Sequence, residues 1–345
     1  MPISFLQRLF VILEIWYTAC MKRNDIADNE FAEPAQPTKS RLILLAILLF
    51  ALIAVVVVLM IGVSNRTAEP SETLPTPASA ETVPQIQAGY AGLAVWFLDV
   101  GQGDCAALCS PNGKTMLIDA GPAGSFSILR NFFDQHGITR LDVAVCSHLH
   151  EDHIGSMAEV LDAYPVDALY MPPFEVESST YAELLASAER NNVPVHAVYA
   201  SATSTIPWDE VTEVRILSPY EVQYTDANEA SLMLRILYGS TGVLFAGDAG
   251  ELAERLAVKA LPNHYLKADV LKVGHHGSAT STSKKFLSAV APSIAVISVG
   301  KENGYDLPDD TVLRRLDTAG VKVLRTDEQG TILIALDGVR SWVIE

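Results

Sequence analysis

The sequence predicts an α/β domain made of two sheets, each covered by helices, standing behind a single apolar segment. Three observations lead there. Strand-like runs come first as a meander and then alternate with amphipathic, helix-like segments, a pattern that suits two layered sheets better than one doubly wound sheet. Residues 42–63 form a run of 22 without a charge. A cluster of imidazoles and carboxylates follows directly on an apolar strand, where packing cannot account for it.

The elements follow in order. Residues 94–100, 105–110 and 115–120 read as three strands joined by glycine-bearing turns. Helix-like segments occupy 125–135, 156–163 and 181–191. Further strands are expected at 143–147, 168–171, 214–217, 231–238, 243–246 and 270–273, and then at 294–299, 321–325 and 331–335. Cys105 and Cys109 lie four apart on one strand, which sets their Cα atoms about 13 Å apart, too far for a disulfide. Cys146 could pair with either only if the fold brought it close, so the cysteines read as buried apolar thiols.

Composition places the appendages. The chain has 345 residues, 24 Lys and Arg against 41 Asp and Glu, and a formal charge of -17. With 49% hydrophobic residues it can bury a sizeable core. The acidic balance argues against a general polyanion binder, which usually presents a basic face. As a helix, residues 42–63 would span about 33 Å against about 30 Å of hydrocarbon. The run is apolar on every face, so a transmembrane helix is expected rather than a core helix. It exceeds a usual signal-peptide apolar region and lacks a small-residue cleavage site after it. Lys22, Arg23, Lys39 and Arg41 precede the span and only Arg66 follows closely, which puts residues 1–41 in the cytoplasm and the rest outside. A weaker apolar stretch at 5–20 either lies on the membrane or reflects a start at Met1 rather than Met21. Residues 64–90, rich in Pro, Thr, Ser, Ala and Glu, read as a disordered linker. The globular domain is residues 91–345, with 33 acidic against 18 basic residues.

The chemistry concentrates in His148-Leu149-His150-Glu151-Asp152-His153, directly after the apolar run LDVAVCS. On a loop, side chains at 148, 150, 152 and 153 can converge on two adjacent cations. Imidazole suits zinc, manganese or iron, and carboxylate adds charge. Asp248, after VLFAG, could bridge two metals. His275 and His276 follow the strand VLKVG, and adjacent histidines point in different directions, so one can ligate while the other faces substrate. Asp119, in LIDAG, could accept a ring N–H from a ligand histidine. His136, His196 and His264 show no such context and read as surface or loop residues.

At this point a family resemblance can be stated. FLDVGQGDC (97–105), LIDAG (117–121), SHLHEDHIGS (147–156), NEASLMLRILYGSTGVLFAGDA (228–249), LKVGHHGS (271–278) and AVISVGKENGYDLP (295–308) resemble, in order, the metallo-β-lactamase-fold hydrolases. More narrowly, they are similar to the extracytoplasmic hydrolase domain of ComEC-type DNA-uptake channel proteins. The resemblance covers residues 93–345 and implies an αββα sandwich with two divalent metal ions, zinc or manganese, at one edge. It implies that His148 and His150 hold the first metal, that Asp152, His153 and His276 hold the second, and that Asp248 bridges them. The usual third histidine of the first site is replaced by a polar segment around Asn228 and Ser231. It further implies that His275 contacts or protonates the leaving group, that Asp119 orients a ligand, and that Ser278, Asn228 and Ser231 face substrate. Two departures stand out: Leu307 where relatives commonly carry His, in Tyr305-Asp306-Leu307-Pro308, and Cys105 where they usually carry a small residue.

A metal-lowered water pKa would supply the nucleophile, with Asp152 holding its proton and His275 acting as the acid. The leading expectation is therefore a membrane-anchored, extracytoplasmic phosphodiesterase acting on a small phosphoester or on DNA, with no obligate protein partner. The acidic domain counts against DNA, and with one span the chain lacks the channel of an uptake protein. Two alternatives stand beside it. One is a hydrolase of cell-wall phosphoesters such as phosphorylcholine, or of lactone or lactam bonds. The other is a metal-binding surface protein of weak turnover, which Leu307 favours.

Overall fold

The computed structural model describes residues 90–344. The cytoplasmic segment, apolar span and linker expected over residues 1–90 lie outside them except for Tyr90. Among the described residues no helix is long and apolar enough to cross a membrane.

The first sheet opens with β1 (Leu93–Phe97), β2 (Ala106–Cys109) and β3 (Thr115–Ile118), an antiparallel meander. It continues with β4 (Val143–Val145), β5 (Leu169–Met171) and β6 (Val195–Ala197), each parallel to its predecessor. The second sheet holds β7 (Thr205–Ile206), β8 (Thr212–Ile216), β9 (Leu234–Tyr238), β10 (Thr241–Phe245), β11 (Val270–Lys272), β12 (Ile294–Ile297) and β13 (Lys322–Arg325). The chain then returns, and β14 (Ile332–Leu336) and β15 (Ser341–Ile344) complete the first sheet beside β1.

Side chains on a strand alternate between faces, and here both faces are apolar. Leu93, Val95 and Phe97 of β1 turn inward and meet Val214, Ile216, Val243 and Phe245 of the second sheet. Phe97 and Phe245 stack across the interface with ring centroids 5.7 Å apart. Ala94 and Trp96 turn outward, under α1 (Phe126–His136), α3 (Met157–Ala163) and α4 (Ser179–Arg190). A single turn, α2 (Glu151–Ile154), precedes α3. On the other flank, Leu244, Leu271, Ala295 and Ile297 lie under α5 (Glu251–Ala260), α7 (Lys284–Val290) and α8 (Asp310–Thr318). The short turns α6 (Asn263–Leu266) and α9 (Thr326–Gln329) complete the set. The order helix, sheet, sheet, helix follows, with three apolar layers between. Each buried Leu, Val or Phe in them is worth about 1.5–3 kcal/mol.

The expected strands are present with ends shifted by up to three residues, and two of the shifts bear on the site. The strand expected at 231–238 begins at Leu234, because the Leu232 N–H crosses to the Ser147 carbonyl at 2.6 Å and the Met233 N–H turns back to Ser231. The strand expected at 294–299 ends at Ile297, because the Ser298 carbonyl turns toward His276. Strands β6, β7 and β15 were not expected. Cys105, Cys109 and Cys146 are free thiols; burial pushes the Cys105 and Cys146 thiols well up from their ordinary value.

Candidate metal centre

Each chemical segment follows the carboxyl end of a strand: Asp119 after β3, residues 147–153 after β4, Asp248 after β10, His275 and His276 after β11, and Ser298 after β12. The strand ends of the two sheets thereby place side chains from distant sequence at one edge. The turn α2 carries Asp152 and His153, one turned outward and half-buried, the other fully buried.

Two ligand groups form there. In one, Asp152, His153, Asp248 and His276 present atoms within 4.8 Å of one another; in the other, His148, His150 and Asp152 do so. In the first, His153 Nε2 lies 3.3 Å from Asp248 Oδ1 and 3.4 Å from His276 Nε2. His276 Nε2 lies 3.2 Å from Asp152 Oδ2 and 3.6 Å from Asp248 Oδ1. A tetrahedral ion with bonds of about 2.1 Å has ligand edges of about 3.4 Å, so these spacings match a bound cation. In the second, His148 Nε2 is 3.1 Å from His150 Nδ1 and 3.7 Å from Asp248 Oδ2. Asp248 therefore turns one oxygen to each group. Its Oδ1 is buried and accepts no hydrogen bond, which leaves a carboxylate oxygen free for a cation.

Hydrogen bonds fix which ring nitrogen is available. His153 Nδ1 donates to Asp119 Oδ2 at 2.9 Å, which leaves Nε2 facing the centre. Asp119 also accepts the Ser147 N–H at 2.7 Å and its hydroxyl at 2.6 Å, which ties it to the His148 loop. His276 Nδ1 donates to the Ser298 carbonyl at 3.0 Å and lies 3.2 Å from Asp104 Oδ1. His275 and His276 adopt left-handed backbone with φ of 49° and 51°. Such conformations are strained in non-glycine residues and recur at functional sites. The next residue must be glycine: at φ 84° a Cβ on Gly277 would lie 2.6 Å from the Pro308 Cβ.

The electrostatics are those of a cation site. Burial holds the His148 imidazole well below its ordinary pKa, which keeps it neutral and able to ligate. Burial also opposes protonation of His153, but the Asp248 and Asp119 carboxylates outweigh it and hold the ring well above. His276 is likewise raised to about 10, burial being overcome by Asp248 and Asp104. For Asp248, burial is overcome by His276, His153 and His148, and its pKa lies well below the usual carboxylate range. Three buried carboxylates thus create a negative potential that positive charge must satisfy.

All six residues expected to hold metal come together. His275 stands at the rim, partly exposed, with Nε2 3.7 Å from Asp248 Oδ2. Ser278 bonds Thr280 Oγ1 at 3.0 Å, and the buried Asn228 Oδ1 has no partner. Ser231, expected to face substrate, lies beside Asp248. It is fully buried, and its hydroxyl accepts the Asp248 N–H at 3.1 Å, so it positions the bridging carboxylate. His196 and His264 are exposed, on β6 and α6. His136 instead packs at the end of α1, stacked 4.2 Å from Phe132, because its ring completes the outer core.

Two residues had not been anticipated. Asp104 and Lys272 form a buried ion pair at 2.7 Å, and Asp104 also flanks His276. The approach needs Gly103, where a Cβ would meet the Asp152 carbonyl oxygen at 2.3 Å. The sequence did carry a signal: a lysine inside an otherwise apolar strand requires a buried partner.

A family model described as the metallo-beta-lactamase superfamily matches residues 98–301. The chain belongs to the metallo-β-lactamase superfamily. With the fold and the His/Asp cluster in place, it is a metal-dependent hydrolase of that superfamily. It is 30% identical over 307 residues to ComE operon protein 3 of Bacillus subtilis, covering 83% of this chain and 39% of that one. It is 33% identical to Recombination protein 2 of Haemophilus influenzae, covering 69% of this chain and 28% of the relative. For Competence protein ComA of Neisseria gonorrhoeae the figures are 31% identity, 74% and 33%. The chain therefore spans two fifths or less of these curated relatives.

Proposed function

We propose that the protein is an extracytoplasmic phosphodiesterase, anchored by residues 42–63 and acting on phosphodiester bonds, DNA among them. The observation that carries this is Asp248, whose two carboxylate oxygens each face a separate imidazole group. A pair of cations bridged in that way suits in-line displacement at phosphorus, as in phosphatases and nucleases. Support comes also from relatives named for competence and recombination.

His148 through Nε2 and His150 through Nδ1 would hold one cation, and Asp152, His153 and His276 the other, with Asp248 between. Zinc or manganese both suit this oxygen and imidazole set. When bound, the two cations supply Lewis acidity and lower the pKa of the attacking water. Asp152, a third exposed at its side chain, is placed to take that water's proton. His275 stands on the solvent side, where Nε2, 3.7 Å from Asp248 Oδ2, would protonate the leaving oxygen. Asp119, Asp104 and the Ser298 carbonyl keep the two buried rings aimed. Leu307 favours a second reading, a smaller cell-wall phosphoester such as phosphorylcholine, or a lactone or lactam. Leu307 packs against the outer core of the second sheet and offers neither a proton nor a ligand for phosphate.

The test is a substrate panel on the metal-loaded chain. Bis(4-nitrophenyl) phosphate and DNA should be cleaved and phosphorylcholine, lactones and lactams left intact. Cleavage of phosphorylcholine or a lactam with diesters untouched would replace the proposal with the second reading. Protease added to intact cells should digest the domain if it lies outside.

A further inference from the structure

We propose that a track of cations around α7 binds the sugar–phosphate backbone of a nucleic-acid strand leading to the metal centre. The inference rests on the phosphodiesterase reading above and names the polymer that the site would act on.

The domain is strongly acidic, yet its cations are not evenly spread. A cavity of about 540 Å³ between α5 and α7 is lined by Arg255, Lys259, Lys284, Lys285 and Arg315. A second, of about 720 Å³ between α7 and α8, shares Lys284 and Arg315 and adds Arg314. Both cavities border the start of α7, and six of the domain's 18 basic residues line them.

Most of these charges are available. Arg255, Lys259, Lys284 and Lys285 are exposed, and none has a carboxylate within 4.0 Å among the described residues. Elsewhere the domain's surface cations are commonly paired, as Lys114 is with Asp142 and Arg190 with Asp162. Two carboxylates also line the first cavity, Glu251 and Glu254. Glu254 is buried and accepts the N–H groups of Thr282 and Ser283, the latter at 2.8 Å. Arg315 donates to the carbonyls of Ser281 and Thr282 from the other side. This pair holds the loop that joins the cavity to the site, which leaves the exposed cations facing outward.

The track meets the metal centre at Thr280. That residue lines the cavity, and its Oγ1 lies 3.4 Å from His275 Nδ1. His275 Nε2 in turn is 3.7 Å from the bridging Asp248. A strand with one phosphate at the cations would lay its neighbouring phosphates over residues 280–285. An extended row of unpaired lysine and arginine suits a repeating anion better than a single small one.

The test uses the full-length chain in detergent with EDTA, so that binding is read without cleavage or metal bridging. The probe is a fluorescein-labelled single-stranded 20-mer, followed by anisotropy across a salt series. The variant R255Q/K259Q/K284Q/K285Q should raise Kd at least about tenfold at low salt. It should also flatten the slope of log K against log salt by about 2.8, at about 0.7 for each lost contact. K284R/K285R should bind as the parent does. An unchanged slope overturns the track, as does equal displacement of the probe by polyglutamate. Should the quadruple variant fold poorly, the parent decides, because a slope shallower than about −2 is too weak for four contacts. Hydrolysis of bis(4-nitrophenyl) phosphate by the parent is measured alongside. Hydrolysis with cation-independent binding sinks the track alone; cation-dependent binding without hydrolysis supports the track and sinks the phosphodiesterase reading.

Discussion

Asp104→Ala separates the roles of one buried carboxylate in the fold and in the site. Asp104 and Lys272 are both almost inaccessible, and their charges meet at 2.7 Å. Removing the acid leaves the Lys272 ammonium with the Val273 carbonyl at 3.0 Å as its hydrogen-bond partner. Breaking a buried pair in this way costs about 3–5 kcal/mol, a large share of the about 5–15 kcal/mol that holds a domain together. The same substitution takes away a carboxylate 3.2 Å from His276 Nδ1, and losing such a partner weakens metal binding about 10–100-fold. The double variant D104L/K272M replaces both charges with apolar groups. It should regain most of the stability, because two apolar side chains fit where a pair was buried, but not the metal affinity. Urea denaturation in EDTA reads the first quantity and competition with a chromophoric chelator the second. A loss below about 1 kcal/mol for Asp104→Ala, against the about 3–5 expected, would refute the ion-pair argument. Parental metal affinity in D104L/K272M would refute the positioning argument.

Other outcomes follow from the same geometry. Asp152→Ala should lower turnover about 10²–10⁴-fold with little change in melting temperature, because the side chain is partly exposed; unchanged activity would contradict its placement at the cations. His275→Ala should slow DNA cleavage by about 10² or more while affecting nitrophenyl diesters far less, since a good leaving group needs no proton; equal losses on both would rule out His275 as the acid. Glu254, raised from 4.5 to about 7 mainly by burial, binds its proton more tightly in the folded state. Stability should therefore fall as pH rises from about 4.5 to 7, by about 3 kcal/mol, and Glu254→Gln should flatten that slope. Urea midpoints at pH 5 and pH 7.5 for the two proteins decide it; identical slopes would assign the effect elsewhere.

The sequence made some of this legible for a physical reason. Imidazoles packed between an apolar strand and a helix contradict burial rules, so His148 to His153 announced themselves, and Asp248 and His276 repeated the pattern at other strand ends. The two-sheet layering was visible because strand-like runs come first as a meander and then alternate with helix-like segments. Edge strands were not: all three residues of β6 are exposed and β7 has only two, so neither carries an alternating signal. The Asp104–Lys272 pair was hidden because the partners come from different sheets, and one sits in a glycine-rich turn. The bond from the Asp248 N–H to Ser231 was not legible, because a short polar segment beside a ligand reads the same whether it faces substrate or a backbone N–H. The track around α7 was invisible to net charge, which averages six clustered cations against an acidic whole.

The most direct test of the central claim, a two-cation centre bridged by Asp248, is a metal titration of the metal-free chain with manganese or zinc. Bound metal and hydrolysis of bis(4-nitrophenyl) phosphate are read on the same samples. The geometry predicts two ions per chain, with activity following the second equivalent, and one ion per chain for Asp248→Asn. Full activity at a single bound ion, or two ions retained without Asp248, would contradict it.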